Sequence, residues 1–189
     1  IIEFIMFIKK KNYYFYIDNT KSINLNLIKK NINVTIIYRN SSRAENINQI
    51  IKFRKKLKVR RFNFYIANNL KIAKKCKADG LYISAYNKNF YKNIKVIGSA
   101  HNFKEINQKI KQGCKSIILS RLFKTVYLGK ESFYGPIKFN LISQKYAINL
   151  IPLGGINNEN LLKLNLLSSS AFSCLSEIKK KPAISNRLF

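Results

Sequence analysis

Asn149-Leu150-Ile151-Pro152-Leu153-Gly154-Gly155-Ile156-Asn157 is the stretch on which the fold turns. Asn149–Leu153 reads as an apolar strand. Gly154 and Gly155 follow, and Asn157 then caps a helical pattern that runs through Asn165. Glycines let a backbone approach an anion closely, and the N–H groups at a helix start bind it. A tight turn with an Asn cap is the plainer reading of the same residues. The choice between them rests on where this strand sits in the whole.

Working outward, short apolar runs rich in β-branched and aromatic residues recur along the chain. They are Tyr13–Ile17, Val34–Tyr38, Phe62–Ile66, Gly80–Ile83, Lys95–Gly98, Ser116–Leu119, Asn149–Leu153 and Ala171–Leu175. Between them lie helix-period segments. These are Ser22–Lys30, Arg43–Leu57 with Ile47, Ile50, Ile51 and Phe53, one opening at Leu70, and Ile137–Gln144. Another carries the stripe Phe103, Ile106 and Ile110 and closes on Gly113. Apolar strands alternating with helices imply a parallel sheet covered on its outer face. Eight such units predict closure into a (β/α)8 TIM barrel, a single α/β domain. An open doubly wound sheet would want a Gly-rich turn after its first strand, and none follows Tyr16.

The chain has 189 residues, short for a barrel of typically about 250. It begins at Ile1 rather than Met, so its natural start is expected upstream or non-standard. Residues 1–11 are expected as an N-terminal helical extension, 12–178 as the barrel and 179–189 as a C-terminal tail. Ile1–Ile8 is apolar but too short for a bilayer, which needs about 20 residues. The basic residues that follow it are in the wrong order for a secretory signal.

The formal net charge is +28, from 36 Lys+Arg against 8 Asp+Glu. The excess is mostly Lys, spread along a chain crowded with Asn, Ile, Tyr and Phe. That pattern fits a codon preference rather than a nucleic-acid face, which clusters its charge and uses Arg. The field still favours anionic ligands. Cys76, Cys114 and Cys174 show no C-x-x-C spacing. They support neither a disulfide framework nor a zinc site, and they suit a reducing cytoplasm.

In a barrel of this kind the chemistry sits at the C-terminal ends of the strands. The polar residues there are Arg39, Asn68, Ser84, Asn87, Ser99, His101, Ser120, Thr125, Gly154, Gly155, Asn157 and Ser176. His101, the only histidine, can serve as acid or base near neutrality. The fork of Arg39 suits a phosphate or diphosphate. Loops after strands seven and eight commonly hold phosphate in barrels, which favours an anion at Gly154-Gly155. Asp79 lies at the start of its strand, the wrong end, and the rim offers no carboxylate pair for Mg²⁺.

Ala78-Asp79-Gly80-Leu81-Tyr82, Ser99-Ala100-His101-Asn102, Leu119–Thr125 and Leu153–Asn157 resemble, in order and spacing, the thiamine-phosphate synthase/TenI family. The resemblance runs from Tyr13 to Ile178 and implies a TIM barrel. It implies an enzyme that joins a hydroxymethylpyrimidine diphosphate to a thiazole phosphate, releasing diphosphate with the help of Mg²⁺. Arg39 and Ser99 match residues at the diphosphate. Thr125 matches a contact of the thiazole phosphate, and Gly154, Gly155 and Ser176 match the phosphate rim. The partners implied are these two substrates. No membrane and no nucleic acid is implied, and a homodimer is the default state.

The departures from that pattern are specific. Ile37 and Ser41 stand where the synthase arginine is flanked by Gln and Lys, and Leu128 stands for the lysine of the sixth loop. Asn68 and Asn87 stand at the two Mg²⁺ carboxylate positions, so no metal ligand is assigned. TenI proteins also lack those carboxylates. They move a proton on a thiazole carboxylate phosphate, with a histidine that matches His101. Three expectations therefore go forward: a synthase, a thiazole tautomerase using His101, and a non-catalytic binder of thiazole or thiamine phosphate.

Overall fold

The computed structural model describes residues 10, 12–28, 32–40, 45–125 and 132–174. Eight strands run in sequence: β1 Asn12–Ile17, β2 Asn33–Tyr38, β3 Asn63–Ala67, β4 Gly80–Ile83, β5 Lys95–Ala100, β6 Ser116–Ser120, β7 Asn149–Leu153 and β8 Ala171–Cys174. Each pairs in parallel with its successor, and β1 closes the barrel on β8 with Asn12 opposite Ala171. The expected TIM barrel is the fold observed. Among the described residues four α-helices clothe it: α1 Ile47–Val59, α2 Leu70–Lys75, α3 Phe103–Lys111 and α4 Gly135–Gln144. Residues 84–94 join β4 to β5 without a helix.

Side-chain alternation along the strands builds two packed layers. Tyr16, Ile37, Tyr65, Tyr82, Ile97, Ile118, Ile151, Leu153 and Ala171 fill the barrel interior. Phe15, Ile36, Phe64, Leu81, Ile117, Leu119 and Phe172 face outward, under the helices. Each fully buried Ile, Leu or Phe contributes about 1.5–3 kcal/mol of transfer free energy. At the N-terminal end, Arg54 of α1 pins the bottom of the barrel. Its Nη2 reaches Asp79 Oδ1 at 2.6 Å, and Nη1 donates to Phe62 O at 3.2 Å. The other Asp79 oxygen accepts from Phe64 N at 2.7 Å. Asp79 is therefore structural, at the end opposite the chemistry.

Three helical expectations are corrected. Over Ser22–Ile28, the described part of Ser22–Lys30, no α-helix forms. Only a 3-10 turn forms, at Leu25–Leu27, because Asn24 bonds the backbone N–H of Asn26 and competes with helical pairing. The stretch after Gly155 is a 3-10 helix, Leu161–Leu166, rather than an α-helix from Asn157. Asn157 Oδ1 accepts from the N–H groups of Glu159 and Asn160, which closes a turn instead. Leu161, Leu164 and Leu167 are then buried at a spacing of three, matching three residues per 3-10 turn.

On α3 the inward face is Ile106 and Lys109, while Phe103 and Ile110 are exposed. The Lys109 stem takes the space left by Gly98, where an added Cβ would stand 2.9 Å from its Cγ. Residues 1–9, 11 and 175–189 lie outside the described set. The N-terminal helix, the C-terminal tail and Ser176 go with them.

Candidate active site

The C-terminal rim of the barrel divides into two arcs. The first runs over β5, β6 and β7. Here the loop after β6 lies directly on the loop after β7. Leu122 N donates to Leu153 O at 2.9 Å and Phe123 N to Gly154 O at 3.0 Å. Gly154 and Gly155 adopt φ of +101° and +67°. A Cβ on Gly155 would stand 2.4 Å from Lys124 O and 2.5 Å from Phe123 O. The glycines thus serve the close approach of one loop to another as well as the turn itself.

Thr125 follows at once, and its Oγ1 is buried with no hydrogen-bond partner among the described residues. A buried hydroxyl in that state calls for a partner such as an ordered water, an ion or a ligand oxygen. The structure lays Phe123 and Lys124, the residues just before Thr125, against Gly154 and Gly155. It also narrows the anion argument. The N–H groups of Asn157, Glu159 and Asn160 are already taken by Asn160 and Asn157 side chains, so they are not open to a phosphate.

His101 follows β5 on this arc and is half exposed. Its Nδ1 stands 2.9 Å from Glu105 Oε2, one helical turn on. An ionised carboxylate only accepts, so this contact puts a proton on Nδ1; in the neutral ring the acceptor is then Nε2. The same carboxylate accepts from His101 N at 2.7 Å and from Asn102 Nδ2 at 3.1 Å. Asn102 Oδ1 in return accepts from Glu105 N at 2.9 Å, which completes a reciprocal cap on α3. Glu105 was not singled out from the sequence, although Asn102-x-x-Glu105 is a capping pattern that signals it.

Tyr134 ties this arc together: its hydroxyl donates to His101 O and its N–H to Arg121 O at 2.9 Å. Arg121 packs against Gly154, its Cγ 2.9 Å from where a Cβ would be. Ser99 is buried on β5, two residues before His101. Sequence reading also passed over Arg121 and Tyr134. Their only signal was an Arg in a Lys-rich chain.

The second arc runs over β2, β3 and β4. Asn68, at φ +53°, accepts on Oδ1 from Ser84 N at 3.0 Å and from Asn87 Nδ2 at 3.1 Å. Asn87 Nδ2 also reaches Tyr91 Oη at 3.0 Å, and Asn87 Oδ1 accepts from Asn89 N at 2.9 Å. Behind them the buried ammonium of Lys109 donates to Asn87 O at 2.6 Å and to Gln112 Oε1 at 2.9 Å. Burial holds that ammonium below its ordinary pKa. These residues do not fit Mg²⁺, because hard cations want carboxylate oxygens. Here two neutral amides bond each other, and a cation sits behind them. Among the described residues no group of three or more His, Cys, Asp or Glu is placed to hold a metal ion.

Arg39 leaves β2 exposed, its N–H bonded to Ile17 O at 2.7 Å. Its charge acts on the buried phenol of Tyr16, which burial drives well above its ordinary range against that pull. Tyr16 and Tyr82 meet edge-on inside the mouth, with centroids 5.4 Å apart at 86°. Both are buried, so protein side chains occupy the centre of this arc.

The family described as thiamine monophosphate synthase (TMP-TENI) matches residues 8–178. The chain belongs to that family. A thiamine-phosphate synthase of Prochlorococcus marinus is 27% identical over 169 residues, covering 83% of this chain and 48% of that protein. The chain thus spans about half the length of the curated relative it matches. Among solved structures, the thiamine phosphate pyrophosphorylase of Pyrococcus furiosus superposes with a TM-score of 0.68. It is 14% identical and covers 93% of this chain and 91% of its own. The enzyme of the same name from Bacteroides thetaiotaomicron gives 0.63 at 14% identity, covering 95% and 90%. At that identity these two likenesses speak for the fold. Among the described residues no helix is long and apolar enough to cross a membrane.

Proposed function

We propose that this family member grips a thiazole phosphate at Thr125 and Gly154-Gly155 and moves a proton on it with His101, without a divalent cation. The observation that carries the reading is the His101–Glu105 pair at 2.9 Å. It leaves Nε2 as a base and places a carboxylate to stabilise the imidazolium that forms. Nε2 takes a proton from one end of the conjugated system and returns it at the other. No bond to a leaving group breaks, and the substrate keeps its charge. Such a step needs no cation, in keeping with the Asn68–Asn87 amide pair.

Condensation of a pyrimidine diphosphate with thiazole phosphate is the second reading, favoured by the relation to the Prochlorococcus synthase. Proton NMR of a thiazole carboxylate phosphate incubated with the protein in EDTA separates the possibilities. Isomerisation that vanishes in His101→Ala supports the proposal. Condensation that requires Mg²⁺, with no isomerisation, overturns it. Binding without any turnover marks a non-catalytic holder of the same phosphate and overturns it too.

A further inference from the structure

The segment that follows β1 lies along α1 and is tied to it at both ends. At the start, Thr20 donates to Glu45, the residue before the cap of α1, from N at 3.0 Å and from Oγ1 at 2.5 Å. At the far end Arg60, which closes α1, donates from Nη1 to Ile28 O at 3.2 Å and from Nη2 to Asn26 Oδ1 at 2.9 Å. Between the two ties the chain makes a 3-10 turn instead of an α-helix, and a cavity of about 640 Å³ stays open. It lies outside the barrel wall. Its floor is Ile23 and Phe53, both buried in the layer between strands and helices.

The lining is chemically one-sided. Lys21, Lys56 and Arg60 bring cationic groups to it, and no Asp or Glu is among the residues that line it. Phe53, Lys56 and Arg60 follow one another at spacings of three and four, so one face of α1 carries floor and charge together. The two bonds of Arg60 fix its guanidinium in place, and the group has further N–H donors for an anion. Val59, also in the lining, is 86% exposed and adds apolar surface open to solvent.

We infer that this cavity is a second ligand site, which binds a small phosphate monoester by its phosphate and by a flat apolar body. The volume falls in the range of small-molecule sites, about 300–1,000 Å³, and is far larger than an inorganic anion needs. The cations match a phosphate better than a carboxylate. Phosphate carries close to two charges and several acceptor oxygens, and the arginine fork suits it. Ile23, Phe53 and Val59 supply the surface for the body. No histidine, cysteine or carboxylate lines the cavity, so the ligand is bound there and not transformed. The site stands apart from the rim and from the chemistry proposed there.

Methyl NMR of the whole chain tests it, with naphthyl phosphate as the probe and inorganic phosphate and naphthol as its two halves. Naphthyl phosphate is expected to shift the methyl signals of Ile23, Leu25 and Val59 until the site saturates. Each half should bind at least about tenfold more weakly. Lys21→Glu/Lys56→Glu should weaken binding of the probe roughly tenfold or more. Lys52→Glu/Lys55→Glu makes the same change of charge at α1 positions outside the lining, and should alter binding by less than about twofold because exposed charges are screened. All four lysines are exposed, so both variants should keep the wild-type circular dichroism and melting temperature. Methyl signals that stay put at millimolar probe overturn the inference. So does an equal loss in the two variants, which marks attraction to the overall charge. Inorganic phosphate that binds as tightly as the probe overturns it as well, since the body then adds nothing. Shifts confined to the rim, at Leu153 and Ile156, do the same.

Discussion

Asn87 Nδ2 donates to Asn68 Oδ1 across 3.1 Å, closing with a neutral amide pair the corner of the rim where the family resemblance calls for two carboxylates. Two carboxylates at that separation would need a cation between them. Two amides satisfy each other and repel nothing. Mg²⁺ at millimolar concentration is therefore expected to leave the melting temperature of the wild type unchanged. Asn68→Asp/Asn87→Asp should be destabilised without metal and regain stability as Mg²⁺ is titrated in. Differential scanning calorimetry with and without the cation reads both effects. A wild-type response to Mg²⁺ would contradict this account of the corner.

Gly155→Ala tests the contact between the sixth and seventh loops. The new Cβ would meet backbone oxygens of Lys124 and Phe123 at 2.4 and 2.5 Å, at a φ of +67°. Neither obstacle is a flexible side chain, so the loops must part. We expect a loss of about 1–3 kcal/mol in chemical denaturation. Affinity for a phosphate ligand should fall as well, measured by calorimetry on the folded fraction. An unchanged affinity would mean that the phosphate is held elsewhere.

Breaking the staple at the barrel bottom should cost stability and nothing else. Asp79→Ala leaves Arg54, itself buried, without its carboxylate, and leaves Phe64 N without an acceptor. Removing one partner of such a pair typically costs about 3–5 kcal/mol, and the partial exposure of Asp79 argues for the lower end. Urea unfolding reports the loss, while ligand affinity at the far end of the barrel should hold.

The buried thiol of Cys114 supplies a pH dependence. Burial pushes its pKa up from 9.0 to about 11. The folded state holds that proton more tightly than the unfolded chain does. Its contribution is present in full below pH 9 and is lost as the pH rises through about 11. The slope for one group is at most about 1.4 kcal/mol per pH unit. Cys114→Ala has no such proton. Its stability relative to the wild type should therefore improve between pH 9 and 11, as followed by thermal melts.

The barrel itself could be read directly, because the strand signal is local. Runs such as Val34–Tyr38 and Asn149–Leu153 have only one way to bury their side chains. The helices were harder where asparagines intervene. Asn24, Asn157 and Asn160 bond nearby backbone and replace helical turns, and their side-chain choices depend on neighbours that a pattern does not reveal. The α3 stripe failed for a related reason. Lys109 turns inward because Gly98 leaves room for its stem and Asn87 O awaits its ammonium, both of them distant in sequence. At the site, His101, Thr125 and the glycines were visible as residue types at strand ends. Glu105, Arg121 and Tyr134 were not, since their roles arise from loops that meet only in the folded barrel.

The His101–Glu105 pair carries the chemistry proposed here, so the most direct test follows the proton it moves. The protein, in EDTA and D₂O, is given a thiazole carboxylate phosphate, and deuterium in the isomerised product is followed by NMR. The account predicts incorporation that needs no cation. It further predicts a fall of roughly 10²–10⁴-fold in His101→Ala and a smaller fall in Glu105→Gln, which keeps the ring but loses the carboxylate. Isomerisation at the wild-type rate in His101→Ala would contradict it, as would product that forms only with Mg²⁺ and a pyrimidine diphosphate.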